Sequence, residues 1–205
     1  MKKKILLLSV FVLLITGCAK SDLKKSFNKM DINLIKNYSV DLRINGEIND
    51  KSIKVSHRIT NYNNEQLSIS FSERSESVRL IEHNYVYQDG ILYNLKDDIY
   101  EISEDELNFK NTSILLEGLN NTKKASKEEV ESDLYNKLIK GTLEKKYVVE
   151  LLSEYKLDTN FETATFEFYL NEDDTVERII YQIDDLTINA LFYDIGESRK
   201  VEINK

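Results

Sequence analysis

From Asn37 onward the chain alternates apolar and polar residues with a period of two. Tyr38, Val40, Leu42 and Ile44 alternate with Ser39, Asp41, Arg43 and Asn45, the pattern of a strand with one buried face. Asn49-Asp50 marks a turn, and Ile53, Val55, His57 and Ile59 predict a second strand. Leu67, Ile69 and Phe71 follow Asn63-Asn64 as a third, and Val78 to Glu82 reads as a short fourth. Tyr85 to Gln88 and Ile91 to Leu95 flank Asp89-Gly90, a two-residue hairpin signal, and Ile99 to Ile102 is a further short strand. Beyond a charged stretch from Lys123 to Asp133, read as a strand plus a loop, the alternation returns. It does so at Tyr135 to Thr142, Ala164 to Leu170, Val176 to Asp184, Leu186 to Tyr193 and Ser198 to Ile203.

Three stretches carry the helical period instead. Leu23, Phe27, Met30 and Leu34 form one stripe. Ser103 to Glu106 has the order of a capping box and opens a helix predicted to reach about Leu119. Leu143, Tyr147, Val148, Leu151, Leu152 and Tyr155 form the cleanest stripe, with Thr142 as its expected N-cap. About ten strands and three amphipathic helices imply an α+β fold. The simplest arrangement is one strongly curved antiparallel sheet, an open half-barrel, with the helices covering its concave apolar face. A sheet only partly closed around helices leaves a cleft of the kind that takes apolar ligands.

The first residues obey another rule. Lys2, Lys3 and Lys4 precede an apolar run from Ile5 to Ile15, and Thr16, Gly17 and Cys18 follow. This is the order of a secretory signal, and its apolar run is short for a span of about 30 Å. Ile15-Thr16-Gly17-Cys18 resembles the lipobox of bacterial lipoproteins. That resemblance implies cleavage before Cys18 and a diacylglycerol, with palmitate-type chains, on its sulfur. The expected organisation is a signal peptide at 1–17, a lipidated tether at 18–25 and one half-barrel domain at 26–205. The expected location is the extracytoplasmic face of the cell membrane. The tether would keep the body within about 15–25 Å of the bilayer.

Charge and chemistry narrow the functions. The formal charge is −8, and removing the three leader lysines makes it −11, so a basic footprint for nucleic acid is absent. Cys18 is the only cysteine, which leaves no disulfide. His57 and His83 are the only histidines; neither belongs to a metal-ligand spacing, and no cofactor is implied. No serine lies in a nucleophile motif. The acidic pairs Asp97-Asp98, Asp173-Asp174 and Asp184-Asp185 fall at predicted turns, where Asp is favoured for backbone reasons. The expectation is therefore not an enzyme. Nine tyrosines (38, 85, 87, 93, 147, 155, 169, 181 and 193) could line a lipid cleft or serve as ordinary half-buried strand residues.

Several stretches resemble half-barrel lipoprotein carriers. LKKSFNKMDINLIKNYSVDL (Leu23 to Leu42) resembles their helix leading into the first strand, and Tyr87 to Tyr93 resembles their aromatic-flanked glycine hairpin. Gly141-Thr142-Leu143 with the helix after it, and LFYDIGESRKVE (Leu191 to Glu202), resemble elements of the mycobacterial lipoproteins of the LppX and LprG type. The resemblance to this LolA/LppX group implies binding of lipid or acyl chains in the half-barrel. The residues expected on the cavity wall are Leu143, Tyr147, Val148, Leu151, Phe166 and Phe168, although core packing alone would also explain them. Two functions stay open: an anchored holder or carrier of acyl chains, and an envelope interaction module with a filled core and a protein partner.

Overall fold

The computed structural model describes residues 37–48, 51–63, 65–74, 80–105, 112–130, 132, 134–157 and 160–203. The signal, Cys18, the tether and the first predicted helix lie outside them.

Eleven antiparallel strands form one open sheet. They are β1 (Asn37–Ile48), β2 (Lys51–Tyr62), β3 (Gln66–Arg74), β4 (Leu80–Gln88), β5 (Ile91–Lys96), β6 (Ile99–Ile102), β7 (Thr122–Glu129), β8 (Lys137–Leu143), β9 (Ala164–Leu170), β10 (Val176–Ile183) and β11 (Leu186–Tyr193). The spatial order is β6-β5-β4-β3-β2-β1-β11-β10-β9-β8-β7. It consists of two meanders, β1 to β6 and β7 to β11, joined where β1 pairs with β11. β6 and β7 remain as the two edges, so the half-barrel is not closed.

The register puts the alternating apolar residues on one face. Leu42 lies between Ala190 and His57, Ala190 opposes Ile179, and Ile179 opposes Phe168, which opposes Ile139. Leu42, Ala190, Ile179, Phe168 and Ile139 are all buried. Several hairpins turn on left-handed residues, as at Asp89 (φ 52°) and Gly90 (φ 80°), Asp97 (φ 49°) and Asp98 (φ 64°). Asp tolerates this region through local hydrogen bonding.

Two short helices are described, α1 (Ile114–Glu117) and α2 (Lys145–Glu154). Four expectations change. Val78 to Glu82 and Tyr85 to Gln88 are not two strands, because Leu80 to Gln88 runs unbroken along β3. The second predicted helix is represented by only four residues among those described. Glu106 lies outside the described residues, and Ser103 accepts instead from the Asp105 amide two residues on (3.2 Å). Thr142 and Leu143 belong to β8, opposite Lys124 and Thr122, so Glu144 caps α2. Ser198 to Ile203 is not a strand. Both neighbours of β1 are already occupied, by β2 and β11, and the tail bonds to side chains instead. The Gln66 amide donates to Val201 O (3.0 Å) and accepts from Val201 N (2.7 Å), while Ser198 Oγ donates to Asn61 O (2.7 Å).

Candidate functional site

The concave face is built in two parts. Against β1 and β10, the segment Thr112 to Gly118 is held by tyrosines of the sheet and of α2. The Tyr181 hydroxyl donates to Leu115 O (2.5 Å), the Tyr147 hydroxyl donates to Ile114 O (2.8 Å), and the Tyr38 hydroxyl shares a bond with Thr112 Oγ1 (2.5 Å). A helix of four residues cannot satisfy its own carbonyls, and the Tyr147 and Tyr181 hydroxyls supply donors for two of them. Burial pushes all three phenols up, Tyr38 to about 12. They remain protonated, as donors must. The rings of Tyr147 and Tyr181 meet edge to face at 5.9 Å. Gly118 lies against both hydroxyls, and a Cβ there would overlap Tyr181 Oη.

All six residues expected on a cavity wall are brought together here. Leu143, Tyr147, Val148, Leu151, Phe166 and Phe168 are 0–5 % exposed and belong to one core cluster. Phe166 and Phe168 stack at 4.5 Å, and Phe168 meets Tyr181 edge to face at 5.9 Å. This part of the concave face is filled by the protein's own side chains.

The second part spans β2 to β4. Ile53, Val55, Phe71 and Tyr87 pack on the core but are only half-buried, and Ile81 is 39 % exposed. The pairing His57–Phe71–His83 across three strands stacks the rings at 4.5 and 4.7 Å. Burial lowers the His57 pKa to about 4, so its imidazole is neutral near pH 7 and is part of an apolar ladder. Tyr85 continues the ladder at 6.1 Å from Phe71 and donates to Asp105 Oδ2 (2.9 Å). Bonds from Ser103 and Tyr85 hold the Asp105 carboxyl below the usual range.

Of the nine tyrosines, Tyr38, Tyr85, Tyr87 and Tyr181 share the concave register, and Tyr147 and Tyr155 come from or just after α2. Tyr93, Tyr169 and Tyr193 sit on the other face: Tyr93 opposes Val86, while Tyr169 and Tyr193 accompany Arg178 and Asp41. Among the described residues no cluster of three or more His, Cys, Asp or Glu side chains could hold a metal ion, and no helix is long and apolar enough to cross a membrane. The face opposite the core carries a polar trough that the alternation hid. Its residues appear in the sequence only as the polar half of each strand.

No family model matches the chain, and no curated protein matches its sequence. Among solved structures it is similar to LprF from Mycobacterium bovis, with a TM-score of 0.64 and 10 % identity over 92 % of this chain and 97 % of that one. It is also similar to the lipoprotein LppX from Mycobacterium tuberculosis, with a TM-score of 0.56 and 12 % identity over 92 % of this chain and 99 % of that one. At such identities the likeness is one of fold, and it extends over nearly the whole of both chains: this protein has the open half-barrel fold of LprF and LppX.

Proposed function

We propose that the protein is a lipoprotein, anchored through Cys18, that holds a lipid or acyl chain on the concave face of its half-barrel without acting on it chemically. Its place would be the outer side of the cell membrane. The observation that carries the reading is the half-buried apolar row over β2 and β3, where Ile53, Val55 and Phe71 continue the core beyond the filled part. The expected wall therefore moves from Leu143, Tyr147, Val148, Leu151, Phe166 and Phe168 to this row. Covering such side chains is worth about 1.5–3 kcal/mol each, and an acyl chain contributes about 0.8 kcal/mol per buried CH₂. Neutral His57 lets the ladder accept an apolar neighbour without desolvating a charge.

One observation favours a second reading, an envelope interaction module with a protein partner. The inward residues of β8 to β11 are buried in one cluster with residues of α1 and α2, as in a module with a filled core. Both readings predict an acylated Cys18, and they differ in the cargo. The full chain, made in bacteria with its leader and extracted in detergent, is to be examined by native mass spectrometry. Lipid mass carried beyond the Cys18 modification, and lost in Phe71→Asp, is the expected result. Absence of carried lipid together with failure to bind an apolar fluorescent probe would leave the interaction module.

A further inference from the structure

The outer face of the sheet carries a trough that the lipid reading does not use. One cavity of about 380 Å³ runs over β1 to β4 and is lined mainly by polar residues, among them Asp41, Arg43, Arg58, Ser70, Glu82 and Asn84, with His57 and Phe71 also at its wall. A second of about 190 Å³ continues over β11 and β10, lined by Asp41, Arg43, Arg178, Asn189 and Tyr135 among others. Asp41 and Arg43 line both, so the two form one trough. The strand register builds it. Asp41 opposes Arg58 and Leu191, Arg43 opposes Ser56 and Asn189, and Ser70 opposes Asn84.

The chain has six arginines, three of them in this trough, and among the described residues no lysine lines it. Lysine is by far the commoner cation in this sequence, so the choice of arginine needs a reason. A guanidinium presents a planar fork of donors that matches oxyanions, which an ammonium does not. Two of the three forks are set by neighbours. Arg58 Nε donates to Asp41 Oδ1 (3.0 Å), which also accepts from the Tyr193 hydroxyl (3.1 Å). Arg178 Nε donates to Asn189 Oδ1 (3.1 Å), with its guanidinium 5.6 Å from the centre of the Tyr169 ring. Arg43, two residues beyond Asp41 on β1 and opposite Ser56 and Asn189, has no ion pair among the described residues. Two carboxylates, Asp41 and Glu82, line a trough with three guanidinium groups, and Asp41 is already engaged by Arg58. Glu82 lies across β3, beside Ser72. An anion is the missing counter-charge at the Arg43 end, while Ser70, Asn84 and Glu82 offer hydroxyl partners toward the other.

We propose that this trough binds the phosphate ester of a polyol, with the phosphate on Arg43 and Arg178 and the hydroxyls toward Ser70, Asn84 and Glu82. The same chemistry is found in a soluble glycerol phosphate and in a phosphatidylglycerol headgroup. The test is a titration of the full-length protein in neutral detergent micelles, read by the backbone amide shifts of Arg43, Ser56 and Asn189. One arm adds glycerol 3-phosphate and the other a short-chain phosphatidylglycerol. Saturable shifts in either arm, weakened about tenfold in Arg43→Gln and in Arg178→Gln but unchanged in Lys146→Gln on exposed α2, support the site, and the responding arm identifies the source. The proposal is overturned if neither arm moves these amides, or if the arginine variants bind as the Lys146 variant does.

Discussion

His57 shows how one residue records the character of the face it sits on. Strand alternation places it opposite Leu42 and Phe71, and burial there lowers its pKa to about 4. The unfolded chain takes up a proton near pH 6.5, whereas the folded protein holds the ring neutral until about pH 4. Between those values the unfolded state binds more protons, so stability falls as the pH drops and the loss is complete below pH 4. The expected contribution is about 1–2 kcal/mol, after allowing for the partial exposure of the ring. Urea unfolding at pH 7 and pH 4 measures it: the native chain should lose that much more than His57→Leu. Equal losses in the two proteins would mean that His57 is not desolvated. Tyr38, Tyr147 and Tyr181 make a related point. Their rings read in the sequence as generic half-buried residues, and only the structure reveals that Tyr147 and Tyr181 satisfy the carbonyls of Ile114 and Leu115, in a helix too short to close its own hydrogen bonds, while Tyr38 bonds the Thr112 side chain.

At the scale of elements, α2 was legible because its stripe needs nothing but its own spacing. Tyr147, Val148, Leu151 and Leu152 are buried, while Val149 is 52 % exposed. Leu151 is fully buried, so Leu151→Ala should cost about 2–5 kcal/mol. Val149→Ala on the outer side of the same helix should stay within about 0.5 kcal/mol. Chemical denaturation of the two variants checks this, and similar costs would mean that α2 is not seated as described. The start of α2 was misplaced because Leu143 satisfies two patterns at once. It is apolar at the helical spacing, and it is also the last inward residue of β8. The tail was misread for another reason: alternation in Ser198 to Ile203 suits a strand, but a strand needs a free edge beside it.

Over the whole molecule, the two faces of one sheet carry opposite chemistries. The concave side continues an apolar core into the row of Ile53, Val55 and Phe71, and the outer side gathers Arg43, Arg58 and Arg178. Because successive residues of a strand point to opposite faces, the side chains of the two sites interleave along β2 and β3, with His57 and Phe71 the residues that touch both. Their functions should therefore be separable. Arg43→Gln should leave carried lipid unchanged, and Ile53→Asp, at a residue that lines neither outer cavity, should lose carried lipid yet leave the glycerol phosphate titration unchanged. Measuring both ligands on both variants checks this. Loss of both ligands in each variant would point to a common unfolding and not to two sites.

Most of the strands, the Asp-Gly turn and the apolar face of each strand follow from neighbours within a few residues, and the sequence alone determines them. Three matters were left to the tertiary structure. The first is the join of the two meanders, where β1 meets β11 across about 150 residues of chain, as in Ser39 opposite Tyr193. The second is which part of the concave face is filled, since Leu143, Tyr147, Val148, Leu151, Phe166 and Phe168 have the same composition whether they line a cleft or a core. The third is the meeting of Arg43 with Arg178, on β1 and β10. The physical reason is common to all three. Alternation fixes the face on which a side chain lies, but the neighbours it meets on that face depend on pairing between distant strands, whose energy is spread over many contacts that no local pattern records.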